Sequence, residues 1–171
     1  SDDEEEVDYS IIPYSIRSFL DNPSFTLFAD NHPLFDAKDC NEIVGCNGLI
    51  CLTGYSLFLA MSTTGNYKYE YWLRIWNPAT REISEKIGCF IDSLGVNFNF
   101  GCDNSTGTFK VVASSTVHDH STSNVRVLSF GDSVWRNIES FPVVPLHLDP
   151  GHHAVFLNGT LNWLAIHNYT P

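Results

Sequence analysis

The apolar positions of this chain come in short runs, and the runs come in pairs. IVGCNGLICL, beginning at Ile43, is an apolar run, a two-residue break at Asn47-Gly48, and a second apolar run. HAVFLNGTLNWLA, beginning at His153, has the same form around Asn158-Gly159. NFNFGCDNSTGTFKVVAS, beginning at Asn97, repeats it with a longer break over 103–107. A two-residue hairpin turn needs positive φ at both central residues, and Asn-Gly adopts this with least strain. Each phrase therefore predicts two antiparallel strands joined tightly. Within the runs the alternation has period two. Phe109, Val111 and Ala113 share one face, as do Val125 and Val127. Trp72, Arg74 and Trp76 share one face of their run, and Tyr71, Leu73 and Ile75 share the other. Apolar residues on both faces predict a strand covered on both sides. No 11-residue window carries a helical apolar stripe.

The phrases recur. Their turns centre near positions 47, 105 and 158, a spacing of about 55 residues, which marks stacked sheet units of the propeller kind. A second pair of runs echoes at the same spacing. YEYWLRIWNPATREISEKI turns at Asn77-Pro78-Ala79-Thr80, and NVRVLSFGDSVWRNIESF turns at Gly131-Asp132-Ser133. Pro78 suits the second position of a turn, where its fixed φ helps and its missing N–H costs nothing. The expected fold is all-β, a partial β-propeller of about two and a half four-stranded blades. The first blade is expected over 43–88 and the second over 96–140. A third starts near 152 and breaks off, so the chain reads as a piece of a longer propeller. A β-sandwich is the alternative. Residues 1–8 read as a disordered acidic tail, 9–42 as a lead-in with Pro13, Pro23 and Pro33, and 43–171 as the propeller domain.

Charge narrows the partners. The net charge is -11, and six of the acidic residues lie among the first eight positions. The nine basic residues are scattered and form no cluster. Nucleic acid and anionic membranes require a basic face, so neither is an expected partner. No run approaches 18 apolar residues, so no membrane span is expected. The five cysteines are odd in number and contain no C-x-x-C pair, which fits neither a full disulfide framework nor a zinc knuckle. Cys46 and Cys51 fall in apolar runs and read as small core residues. This suggests a reducing compartment, cytoplasmic and/or nuclear. Three sequons, at Asn104, Asn158 and Asn168, point the other way, but Asn and Thr are common in turns and produce sequons by chance.

The chemistry is sparse. His118-Asp119-His120 has a spacing that can place two imidazoles on one strand face, yet it lies in the polar stretch VHDHSTSN and reads as a surface loop. Asp92, Asp103 and Asp132 sit at turns, where Asp caps its own backbone. No nucleophile elbow, His-Glu-x-x-His or phosphate loop occurs. No catalytic residue, metal site or cofactor is expected. Trp72, Trp76, Trp135 and Trp163 would stack on a sugar if exposed, which keeps a glycan-binding or glycoside-hydrolase reading open. Trp76 and Trp135 flank turns at matching places and are expected to share a packing role. Function is then expected in the non-repeating loops over 62–69, 88–95, 117–124 and 142–152. Tyr67, Tyr69, His118, His120 and His147 are the candidate partner-binding residues, because aromatic loop side chains bury much area per ordered rotamer.

Taken in order, IVGCNGLICL, WNPATREISEKI, FGCDNSTGTFKVV, VRVLSFGDSVWRNIESFP and HHAVFLNGTLNWLAIH resemble the plant F-box-associated β-propeller domain, type 1. PYSIRSFLDNPS upstream resembles the segment joining an F-box to such a domain. The likeness covers about residues 9–171. Members of this type are often called kelch-repeat F-box proteins, although no double-glycine kelch signature occurs here. The resemblance implies a protein-interaction module that presents a protein substrate to a cullin-based ubiquitin ligase. It also implies that the ligase adaptor is met through an F-box, for which nothing before Tyr9 offers a leucine-rich helical motif.

Overall fold

The computed structural model describes residues 40, 42–58, 67–93, 95–116, 123–132, 134–139 and 154–164. The chain divides into two units, Ser1–Cys40 and Asn41–Pro171. All the regular elements described belong to the second unit, and all are strands.

The first sheet contains β1 (Glu42–Cys46), β2 (Leu49–Phe58), β3 (Lys68–Asn77), β4 (Glu82–Ile83) and β5 (Ile87–Asp92). Asn47 and Gly48 form the β1–β2 turn with φ of 47° and 81°, the mirror-type turn expected of Asn-Gly. It pairs Cys46 with Leu49 and Val44 with Cys51. β2 and β3 are ten residues each and pair along almost their whole length, from Ile50 opposite Trp76 to Phe58 opposite Lys68. The Asn77 carboxamide oxygen accepts from the N–H groups of Ala79 and Thr80 and closes the turn that Pro78 begins.

The fourth position of this blade is split. β4 pairs with the end of β3, Trp76 opposite Ile83. β5 pairs with the same strand further back, Tyr69 opposite Asp92 to Leu73 opposite Ile87, with a shift in register between Tyr71 and Leu73. Ser84 holds the interruption together. Its N–H donates to the Ile75 carbonyl at 2.8 Å, and its hydroxyl accepts from the Ile75 N–H at 2.9 Å. The first blade thus extends to Asp92, beyond the expected boundary at 88. The expected loop over 88–95 is largely strand, because the hairpin uses a bulge at Gly88 (φ 60°) to resume pairing.

The second sheet is a four-strand meander of β6 (Val96–Asp103), β7 (Thr108–Thr116), β8 (Ser123–Ser129) and β9 (Arg136–Ile138). Its β6–β7 turn is closed by the Gly107 N–H donating to the Asp103 carbonyl at 2.7 Å. The third unit is the hairpin β10 (Val155–Leu157) and β11 (Thr160–Asn162), turned at Asn158 and Gly159 with φ of 50° and 81°. Two blades and the opening hairpin of a third make a partial β-propeller, as the repeat predicts.

The blades stack by their apolar faces. Cys46, Cys51, Tyr71 and Leu73 of the first sheet form one buried cluster with Phe98, Phe100, Cys102, Val111, Ala113 and Leu128 of the second. Phe100 stacks on Phe109 and Phe130 at 5.5 and 5.7 Å between ring centres. Trp135 crosses between the sheets: its indole N–H donates to the Gly88 carbonyl at 2.7 Å, and its ring meets Phe90 edge-on at 5.2 Å. The other face of β6 receives the third hairpin. Gly101 leaves room for Phe156, since a Cβ there would lie 2.9 Å from the ring. Buried Asn99 accepts from the Ala154 N–H at 2.5 Å. The register also separates the two faces of β3 as its alternation predicts. Trp72 and Trp76 are buried on the face of Leu52, opposite the inter-sheet core. Trp76 and Trp135 therefore do not share a packing role: one precedes its turn on the outer face, and the other follows its turn between the sheets.

Candidate partner-binding surface

The face of β2 and β3 that packs on the second sheet is longer than the sheet that covers it. Cys51, Thr53 and Leu73 lie under cover, at 2% exposure or less. Two residues further along, the same face emerges. Tyr55 is 46% exposed and Leu57 51%. Tyr71 and Tyr69 stand directly opposite them on β3, and Tyr67 precedes the strand at 64% exposure. The result is an aromatic ridge. Tyr55 meets Tyr69 edge-on at 5.3 Å and Tyr71 at 5.7 Å, while Tyr69 and Tyr71 are 6.4 Å apart. Aromatic cross-strand pairs of this kind hold one another in place, so the exposed rings need little further ordering when a partner covers them.

The base of the ridge is anchored. Tyr71 stacks on Phe90 at 5.5 Å and contacts Phe98 at 5.9 Å. Burial pushes its phenol up to about 12, against a backbone hydrogen bond from Val96 that favours the ionised form; Asp92, Tyr55 and Tyr69 add to the rise. Asp92 is held by the Arg126 guanidinium at 2.8 Å, and that guanidinium lies 4.8 Å over the Phe90 ring. A half-buried carboxylate beside apolar rings is stabilised by such a partner.

The expected site residues are distributed unevenly over this geometry. Tyr67 is an exposed residue of the ridge. Tyr69 is half-buried within β3, so the strand begins at Lys68 and takes the end of the expected 62–69 loop with it. His118, His120 and His147 lie outside the described residues, as do the segments 117–122 and 140–153 that carry them. Sequence reasoning missed Tyr55 and Leu57. Both follow the apolar run LICL on the same strand, and the missing signal is relative strand length, which only the stacked partner reveals.

Other chemistry in the described residues is structural. Asp103 accepts from the Ser105 N–H and hydroxyl and pairs with Lys110 at 2.7 Å. The Lys110 ammonium and the Ser105 hydrogen bonds hold its carboxyl well below the usual carboxylate range. Asp132 pairs with Arg136 at 2.9 Å. Among the described residues no group of three or more His, Cys, Asp or Glu side chains could hold a metal ion. Trp72 and Trp76 are buried and Trp135 is tied to Gly88, so none of these three offers an open ring to a sugar.

A family model described as the F-box associated beta propeller domain matches residues 8–170. The chain belongs to the F-box associated β-propeller domain family. An F-box/kelch-repeat protein of Arabidopsis thaliana is 29% identical over 133 residues, which is 75% of this chain and 33% of that protein. The chain therefore spans about a third of the length of the curated relative it matches. No solved structure matches it. The motif order read from the sequence and the blade stacking seen in the structure agree with this assignment. An F-box associated propeller domain is a protein-interaction module.

Proposed function

We propose that this domain recruits a protein substrate for an F-box subunit of a cullin-based (SCF-type) ubiquitin ligase, directing that substrate to ubiquitination and degradation. The observation that carries the reading is family membership across residues 8–170. The ridge of Tyr55, Leu57, Tyr67 and Tyr69 supplies the contact surface, with the loops bearing His118, His120 and His147 as further contacts. The domain itself supplies binding and no bond-breaking step. The ligase adaptor is met through an F-box elsewhere in the parent protein, and the working compartment is the cytoplasm and/or nucleus.

The test uses the parent protein with degradation blocked. Affinity capture should recover a protein whose ubiquitination in vitro depends on the parent and on the ligase core. Changing Leu57 to Ser together with Tyr67 to Ala should weaken that capture at least tenfold, because hot-spot aromatics each contribute about 2 kcal/mol or more. The melting temperature should hold, since both side chains are exposed. Captured proteins whose ubiquitination is indifferent to the parent would sink the proposal.

A further inference from the structure

Outer sheet edges in this domain are guarded in different ways. β4 is two residues long and begins with Glu82. β9 is three residues long and begins with Arg136. Short length and charge are the usual devices that keep an edge from pairing with a foreign strand. β5 has neither. Its six residues, IGCFID, contain no lysine, arginine or proline, and among the described strands it pairs only with β3. The one charge, Asp92, is already taken by Arg126. Cys89 is exposed, and Ile91 is 44% exposed.

A charge stands beside this edge. Glu70 is directly opposite Ile91 on β3, so both side chains project from the same face. Glu70 is exposed and enters no ion pair among the described residues. A strand added outside β5 would lie about 10 Å from β3, two strand spacings away. A lysine or arginine placed on it opposite Ile91 can lay its aliphatic stem across Ile91 and bring its charge to Glu70. The residue two positions along would face Cys89 and is best apolar.

We propose that β5 is a strand-addition edge. It takes an extended segment of the captured protein that carries a basic residue and an apolar residue two positions apart. Main-chain hydrogen bonds to β5 supply the attachment, and the Ile91–Glu70 pair supplies the choice. This rests on the substrate-recruiting reading above and names the chemistry of the segment recruited.

The probes are two synthetic ten-residue peptides on the full chain. One alternates threonine with lysine and valine, and the other has glutamate in place of each lysine. The lysine peptide should bind at least tenfold more tightly by fluorescence anisotropy and should slow amide exchange in Ile87–Asp92. Glu70→Lys should reverse the preference, and Ile91→Lys should lower the affinity of the lysine peptide at least tenfold. Equal binding of the two peptides, no binding at millimolar concentration, or protection confined to other strands overturns the proposal. The exchange readout on the unaltered chain keeps it falsifiable if either variant fails to fold. Loss of the β5 effect while capture by the parent still depends on Leu57 and Tyr67 removes the edge and leaves the recruiting role. Captured proteins whose ubiquitination ignores the parent remove the role itself.

Discussion

Single residues in this domain act mostly by what they permit. Asn47-Gly48 and Asn158-Gly159 adopt positive φ in matching turns, and a side chain at Gly48 or Gly159 would sit in a backbone region that L residues rarely adopt. Trp135 is one of the residues through which the second sheet grips the first, with Arg126 on Asp92 another. Trp135→Phe keeps a ring against Phe90 but loses the hydrogen bond to Gly88, and should cost about 1–2 kcal/mol in urea unfolding. Tyr71 gives a pH signature. Its folded value of about 12 lies above the ordinary tyrosine value near 10. The stabilisation is therefore fully present below pH 10 and is lost as the pH rises from 10 to 12, on the order of 2 kcal/mol. Unfolding curves across that window should show the fall, and Tyr71→Phe should flatten it; an unchanged slope in the variant would assign the alkaline loss to other groups.

At the scale of elements, the informative cases are the strands that do not match the repeat. The fourth position of the first blade is broken into β4 and β5, with Ser84 replacing the missing ladder bonds through its own N–H and hydroxyl. The break sets β5 at the outer edge with its own exposed residues, and that edge has no counterpart in the three-residue β9. The β10–β11 hairpin is the opposite case. It is three residues a side, too short to persist alone, and depends on its seat against β6. Gly101→Val should drive Phe156 off that seat. Hydrogen exchange in Val155–Leu157 and Thr160–Asn162 should then speed at least tenfold while β7 and β8 stay protected. Exchange that speeds throughout the second sheet would show that hairpin and sheet melt as one unit.

For the whole molecule, stability comes from stacking sheets face to face, and the thiols report on it. Cys46, Cys51 and Cys102 are inside the inter-sheet cluster, and burial, with the neighbouring Cys102, pushes the Cys46 thiol up. Cys89 stands on the exposed edge strand. Under native conditions an alkylating reagent should modify Cys89 first. The three core cysteines should react only as fast as the two sheets separate, so mass spectrometry against time should give, Cys40 apart, one fast site and three that move together. Core thiols reacting at separate rates would show that the sheets open piecemeal. The ridge belongs to this scale as well, since it exists because β2 and β3 outrun the sheet stacked upon them.

The sequence by itself determined what depends on neighbours along the chain. Asn-Gly set the turns because only certain residues tolerate positive φ, and alternation assigned Trp72 and Leu73 to opposite faces because strand geometry has period two. The 55-residue recurrence of these local signals was enough to reach the blade, and the family came from the likeness of the ordered motifs. Tertiary structure decided what depends on neighbours across space. Whether YSLF at 55–58 is core or surface depends on the length of the sheet opposite, and whether GCFID at 88–92 is loop or strand depends on β3 being there to pair with it. Burial and edge position are relations between elements, and no run of residues carries them alone.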